Sequence, residues 1–270
     1  MKKRKHNSVK SLDEFVEDLQ AGGRYAFSRD EAIGEWKVNA LTLKKAVMRL
    51  VGKRRLAVPR RGFYVIVPAE YRSAGAPPPS WFIDDLMNHL GRPYYVGILS
   101  AASLYGAAHQ QPQEFQVVTD IPQRPMMAGR SRIRFMVKSN LERTPVREVK
   151  TETGTMRVST PEATALDLLR YVRAAGGLNN VATVLAELAE SIDGRKLVEA
   201  ARVDGEIAFA QRLGYILDLV GAGERTKHLE RWINKLNPRN APLKRGEPLK
   251  GCPVDRRFRV VVNFEVEADI

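Results

Sequence analysis

Asn39-Ala40-Leu41-Thr42-Leu43-Lys44-Lys45-Ala46-Val47-Met48-Arg49-Leu50-Val51-Gly52-Lys53-Arg54-Arg55-Leu56-Ala57-Val58-Pro59-Arg60-Arg61-Gly62-Phe63-Tyr64-Val65-Ile66-Val67 is the stretch from which the rest of the chain is read. Asn39 suits an N-cap, and the spacing predicts a helix from about residue 40 to 51. Leu43, Val47, Leu50 and Val51 recur at i, i+4, i+7 and i+8, so they are expected to pack inward. Thr42, Lys45 and Arg49 recur at i, i+3 and i+7 on another face, flanked by Lys44 and Lys53. Beyond Lys53-Arg54-Arg55, two apolar runs, 56–59 and 63–67, bracket Arg60-Arg61-Gly62. Two such runs around a short turn containing Gly predict a β-hairpin with arginines at its tip.

Upstream, Ser11-Leu12-Asp13-Glu14 places a hydroxyl at an N-cap and a carboxylate three residues on, a capping box. Leu12, Phe15, Val16 and Leu19 follow at helical spacing, and Gly22-Gly23 ends the run. Tyr25-Ala26-Phe27 reads as extended. Ser28-Arg29-Asp30-Glu31 is a second capping box, opening a short helix to about Ile33 that Gly34 is expected to break. Helix, helix, helix and hairpin in this order predict a winged helix-turn-helix over residues 1–72.

Charge points the same way. The chain has 270 residues, 44 Lys and Arg, 31 Asp and Glu, and a net charge of +13. Residues 1–72 hold 17 basic and 8 acidic side chains, a net of +9, and residues 73–270 hold 27 and 23, a net of +4. Residues 37–72 carry ten basic side chains and one acid, Glu70. A basic stripe of that density on a groove-sized helix and hairpin indicates a polyanion partner, double-stranded DNA. Phosphate neutralisation is expected from Lys44, Lys53, Arg54, Arg55, Arg60 and Arg61. Base reading is expected from Asn39, Thr42, Lys45 and Arg49, near the start and outer face of the helix. The plainer alternatives are a solvated charged face and a winged helix that contacts protein.

Residues 73–80, Ser-Ala-Gly-Ala-Pro-Pro-Pro-Ser, contain no large apolar side chain and read as a semi-rigid linker. Beyond them, residues 81–270 form a larger second domain of mixed α and β type. A helix is expected over 81–90 and another over 96–105, with strands at 115–119, 133–137 and 155–159. Thr160-Pro161-Glu162 opens a further helix with Thr at N-cap and Pro at N1. Its apolar stripe is Ala165, Leu168, Leu169 and Val172, and Gly176-Gly177 ends it. Glu162 reads as a helix-dipole carboxylate and Asp167 as a helix-surface residue. Residues 178–235 are helical in period, with breaks near Asp193-Gly194, Asp204-Gly205 and residues 221–223, and alternation over 257–267 predicts a closing strand. The fold class is thus α+β in two domains, the second ending in a helical array.

Other classes fit poorly. No run of about 18 apolar residues occurs, so no spanning helix is expected. The basic arm at residues 2–5 is followed by no apolar leader core. Cys252 is alone, which fits a reducing cytoplasm. One Cys and four scattered His (His6, His89, His109, His228) do not suggest a metal site, and no cofactor motif appears. His109 reads as a helix-end cap. No catalytic constellation stands out, so no enzyme activity is expected. The sharpest enzymatic alternative is a metal-dependent nuclease using Asp84, Asp85, Asp120, Glu265 or Glu267, which read more simply as turn, edge and helix-surface residues. No heptad seam enforces a dimer.

With these residues on the page, the chain resembles the AbiEi family, the antitoxin half of a type IV toxin–antitoxin pair. The resemblance rests on residues 40–67, on Tyr94-Tyr95-Val96-Gly97-Ile98-Leu99-Ser100-Ala101-Ala102 with Tyr105-Gly106, and on Thr160-Pro161-Glu162-Ala163-Thr164-Ala165-Leu166-Asp167-Leu168-Leu169. It extends over about residues 10–240. It implies a winged helix followed by an antitoxin domain, repression of the protein's own operon at promoter inverted repeats, and counteraction of a nucleotidyltransferase-type toxin in phage defence. A monomer in solution that pairs on DNA, or a dimer there, fits inverted repeats. A winged-helix transcription factor with a ligand-sensing C-terminal domain is the main alternative.

Overall fold

The computed structural model describes residues 11–107 and 113–269. The basic arm at residues 2–5, His6 and His109 lie outside them.

Helix α1 (Leu12–Ala21) starts where Ser11 Oγ accepts from the Glu14 amide at 3.2 Å. Strand β1 (Ala26–Ser28) leads into α2 (Arg29–Trp36), whose capping box pairs Ser28 with Glu31 in both directions. Gly34 does not break α2. The helix runs past it and stops at Lys37, which takes the left-handed conformation. An isolated Gly costs a helix only about 1 kcal/mol, less than a capping box with tertiary packing can offset. Helix α3 (Ala40–Gly52) and strands β2 (Leu56–Arg60) and β3 (Phe63–Ile66) follow. The strands form an antiparallel sheet in the order β1-β3-β2.

All four residues of β3 are buried. Tyr64 and Ile66 face the three helices, while Phe63 and Val65 face the opposite way, into a core shared with Ala76, Phe82, Ile83 and Met87. A strand covered on both sides reads as a continuous apolar run, and Phe-Tyr-Val-Ile is one. Residues 73–80 take part in this packing, with Ala76, Pro77 and Pro79 buried. The Arg130 amide donates to the Ala74 carbonyl at 2.8 Å. Gly75, at φ +84°, comes so close to Gly129 that an added Cβ would sit 3.0 Å from its Cα.

The second unit begins with α4 (Ile83–His89), preceded by a single 3₁₀ turn at Pro79–Trp81. Val96 belongs to a strand, not to the helix expected over 96–105. β4 (Tyr94–Val96) is buried throughout, and α5 (Ile98–Leu104) begins two residues later. Two tyrosines and a valine favour a pleated surface, and Gly97 separates the two periods. Then come β5 (Glu114–Thr119), β6 (Met126–Ala128), β7 (Ser131–Val137), β8 (Val146–Lys150) and β9 (Thr155–Ser159). They form a mixed six-stranded sheet ordered β6-β7-β5-β4-β9-β8. Helix α6 (Pro161–Arg170) is capped by Thr160 and ends at Arg170, six residues before the glycine pair expected to end it. The helical array is α7 (Leu178–Leu188), α8 (Gly194–Asp204), α9 (Ile207–Leu219) and α10 (Gly223–Leu236), broken where the sequence suggests.

The tail differs from expectation. Only Val260–Val261 of it is a strand, β12, in a small sheet with β10 (Ala241–Pro242) and β11 (Val254–Asp255). The alternation is nonetheless used, because Val262, Phe264 and Val266 pack against the helical core. Beyond β12 the backbone is met by side chains: the Glu267 amide donates to Asn179 Oδ1 and the Asp269 amide to Thr183 Oγ1.

Candidate nucleic-acid interface

Helix α3 turns part of its apolar set inward and a basic, partly apolar face outward. Leu43, Val47 and Leu50 are buried. Val51 is not, being 40% exposed. At about 100° per residue it lies some 80° around the helix from Leu43, whereas Leu50 lies about 20° away. The outer face carries Thr42, Lys44 and Lys45 together with Leu41 and Met48, which are 62% and 65% exposed. No acidic residue occurs in the first turn of α3. Asn39 caps the helix, its Oδ1 accepting from the Thr42 amide at 2.9 Å. That oxygen is occupied, which leaves the Asn39 amide group to point elsewhere.

Lys53 and Arg54 are exposed just past the helix, with Arg54 left-handed at φ 54°. Arg61 is exposed at the hairpin tip. Among the described residues, no carboxylate lies within salt-bridge distance of Lys44, Lys45, Lys53, Arg54 or Arg61. Three of the expected contact residues are engaged by the protein itself. Arg49 pairs with Asp13 of α1. Arg55 reaches Asp13 at 3.0 Å and Glu17 at 3.3 Å. Arg60 donates to Gln123 Oε1 of the second unit at 3.0 Å. The hairpin tip is held there: Gly62 and Phe63 lie against His89 of α4. The sequence reading missed Leu41 and Met48. Their signal was an apolar pair seven residues apart on the face opposite Leu43, which a strictly amphipathic helix would not carry.

The second unit holds a buried charge cluster. Lys138, just after β7, donates to Asp167 at 2.9 Å and lies 3.1 Å from Asp204. Tyr95 Oη donates to the other Asp167 oxygen at 2.7 Å. Arg170 grips Asp204 through two contacts of 2.9 and 2.8 Å and reaches Glu206 at 3.0 Å. Burial, with the Asp167 charge beside it, drives the Tyr95 hydroxyl well above the usual tyrosine range. Asp167 is 0% exposed, so it is no helix-surface residue. Glu162 is also buried, and it accepts from the Asp193 amide at 3.0 Å. The cluster ties β4 and the end of β7 to α6 and α8. Gln116 does similar work, accepting from the Leu99 amide at 2.9 Å and donating to the Ala174 carbonyl at 2.8 Å.

The carboxylates considered for a nuclease are dispersed. Asp84 accepts from Tyr94 Oη and Asn88, and Asp120 pairs with Arg92. Among the described residues, no group of three or more His, Cys, Asp or Glu could hold a metal ion. None of their helices is long and apolar enough to cross a membrane.

Residues 95–219 match the family model of the AbiEi antitoxin C-terminal domain. No curated protein matches the chain. Among solved structures, the crystal structure of the RV2827C protein from Mycobacterium tuberculosis is similar over 95% of this chain and 94% of that one, at 12% identity and a TM-score of 0.64. At that identity the likeness is one of fold, and it spans both units. The matched segment contains Tyr95, Lys138, Asp167 and Asp204, so the buried cluster lies within the family's domain. Through residues 95–219, the chain resembles the AbiEi antitoxin family.

Proposed function

We propose that this protein is a DNA-binding antitoxin that represses its own operon and counters a nucleotidyltransferase-type toxin in the reducing cytoplasm. Residues 1–72 serve as a winged helix-turn-helix, with α3 as recognition helix and the β2–β3 hairpin as wing. The observation that carries this reading is the outer face of α3, free of acids in its first turn and bearing Thr42, Lys44 and Lys45, on a chain whose larger unit resembles an antitoxin family. Lys44, Lys53, Arg54 and Arg61 contact phosphates and supply most of the affinity. Thr42 and Lys45 read base edges, each good contact contributing about 1–3 kcal/mol of discrimination, while Leu41 and Met48 offer apolar surface to thymine methyls. Arg49 and Arg55 join only by exchanging Asp13 and Glu17 for phosphate, and Arg60 only by leaving Gln123. Inverted repeats in the promoter place one protomer on each half-site, a monomer in solution pairing on the DNA.

The test uses the full chain, because Phe63 and Val65 are buried against residues beyond 73 and cutting there would expose them. Lys44→Glu with Lys45→Glu should abolish retardation of the promoter fragment and derepress a reporter, while cells expressing the neighbouring toxin stay protected. Loss of protection together with repression, in a variant of unchanged stability, would refute the division of labour. Retention of promoter binding would refute the recognition helix.

A further inference from the structure

A large cavity lies far along the chain from the α3 face, in the helical half of the second unit. It has a volume of about 740 Å³. It opens between β7, the turn from α6 to α7, α9, and the two segments at 243–245 and 264. Six of its lining side chains are cations: Arg134, Arg170, Arg173, Arg212, Lys244 and Arg245. Among the described residues no Asp or Glu lines it, and the carboxylates that meet Lys244 and Arg245, Glu247 at 3.0 Å and Glu206 at 3.9 Å, lie outside the lining. The rest of the wall is largely apolar, with Leu169, Val172, Leu178 and Phe264. A volume of this size with apolar walls and a few convergent charges is the usual form of a small-molecule site.

Arg212 is the decisive residue. It is only 4% exposed, yet no carboxylate among the described residues lies within salt-bridge distance of it. Its Nε donates to the Pro242 carbonyl at 2.7 Å, and its guanidinium lies 5.7 Å from the Phe209 ring centre. Burial, reinforced by the nearby charge of Arg245 and opposed by Glu206, pushes its pKa down to about 10. A buried cation with no carboxylate at salt-bridge distance is costly, and its charge is best met by an anion brought from outside. The same mouth receives the start of α7. Gly176 and Gly177 take φ of +82° and +95° to turn into it, no side chain caps it, and no acid occupies its first turn. Free amides at a helix start and a cluster of arginines are complementary to phosphate in the same way, by donors and by positive potential.

We propose that this cavity binds a phosphate-bearing small molecule of nucleotide size, its phosphates held by Arg212, Lys244, Arg245 and the first turn of α7, its other end against Leu178, Val172 and Phe264. The site is separate from the α3 face, so it stands or falls independently of operator binding.

Isothermal titration of the full-length protein with ATP, GTP, CTP, UTP, pyrophosphate and inorganic phosphate tests it, without added metal and at fixed ionic strength. Saturable binding of at least one nucleotide is expected. It should be weakened about tenfold or more by Arg245→Glu and by Lys244→Glu, a factor of ten being the ordinary consequence of removing one charge-assisted contact. Arg212→Met should remove binding too. If that variant misfolds, Arg245→Glu and Lys244→Glu carry the test, since both side chains are substantially exposed. Retardation of promoter DNA should stay within about twofold of the parent in both. Absence of binding by every compound, or binding unchanged by both variants, overturns the proposal. Pyrophosphate binding as tightly as the nucleotides overturns the assignment of the apolar wall to the ligand.

Discussion

The proposed DNA interface predicts a definite dependence of affinity on salt. Eight cations in residues 39–61 were candidates for phosphate or base contact, and if all eight neutralised phosphate, log K would fall with log salt at about −7 per protomer, near −0.9 for each contact. The structure commits three of them elsewhere: Arg49 and Arg55 to α1 carboxylates and Arg60 to Gln123. Five remain, Lys44, Lys45, Lys53, Arg54 and Arg61, so the slope expected is about −4.5. Between 50 and 200 mM salt the affinity for one half-site should therefore drop about 500-fold, against about 20,000-fold for eight. Fluorescence anisotropy on a half-site duplex at four or five salt concentrations gives the slope directly. Lys45→Gln should make it shallower by about 0.9 and Arg55→Gln should leave it nearly unchanged. Asp13→Asn should steepen it, because it releases Arg49 and half-releases Arg55. A parent slope near −7, or equal effects of Lys45→Gln and Arg55→Gln, would refute the reasoning from ion pairing. A slope near zero would refute the interface.

Asp167→Asn keeps the shape of its side chain and leaves Lys138 with Asp204 at 3.1 Å, so unfolding by urea should show a loss of about 1–3 kcal/mol, the cost of removing one charged partner from a buried hydrogen-bonded cluster. An Ala Cβ at position 214 would sit 2.2 Å from Cδ1 of the fully buried Phe258, so Gly214→Ala should destabilise by about 1–3 kcal/mol. In a Phe258→Ala background the same change should cost little, and equal costs in both backgrounds would show that the ring is not what Gly214 accommodates. Burial pushes the Tyr105 hydroxyl up to about 12, Arg147 opposing. Its folded pKa thus exceeds the unfolded value near 10, and the fold favours the protonated form. The stability this contributes is present below about pH 10 and lost as pH rises to about 12. Tyrosinate absorbance titrated in native and denatured protein should show the difference, and superimposable curves would count against a buried Tyr105.

Much of the local structure was legible because its signals are local. Ser11, Ser28, Asn39 and Thr160 each start a helix by accepting from an amide three residues on, an interaction written into adjacent sequence. Leu43, Val47 and Leu50 pack inward as their spacing demands. The errors have a common origin. Propensity alone makes Gly34 a breaker, while tertiary contacts hold α2 together past it. Val96 reads as helical from sequence because a three-residue strand is too short to show a period. The tail alternates like a strand, but only two of its residues find a ladder partner.

The candidate sites divide along the same line. Composition and spacing by themselves determined that the basic excess sits in residues 1–72, that one helix carries it opposite an apolar face, and that the remainder is mixed α and β. These properties depend on residues within a few turns of one another. Only the tertiary structure decided which of those cations are free, because Asp13 reaches Arg49 and Arg55 across 36 and 42 positions of sequence, Glu17 reaches Arg55 across 38 and Gln123 reaches Arg60 across 63. It alone brought Arg134, Arg212 and Arg245 to one cavity, and buried Asp167 beside Lys138. Charges act through space and through the dielectric around them, and neither the distance between two side chains nor their burial is a property of their order in the chain.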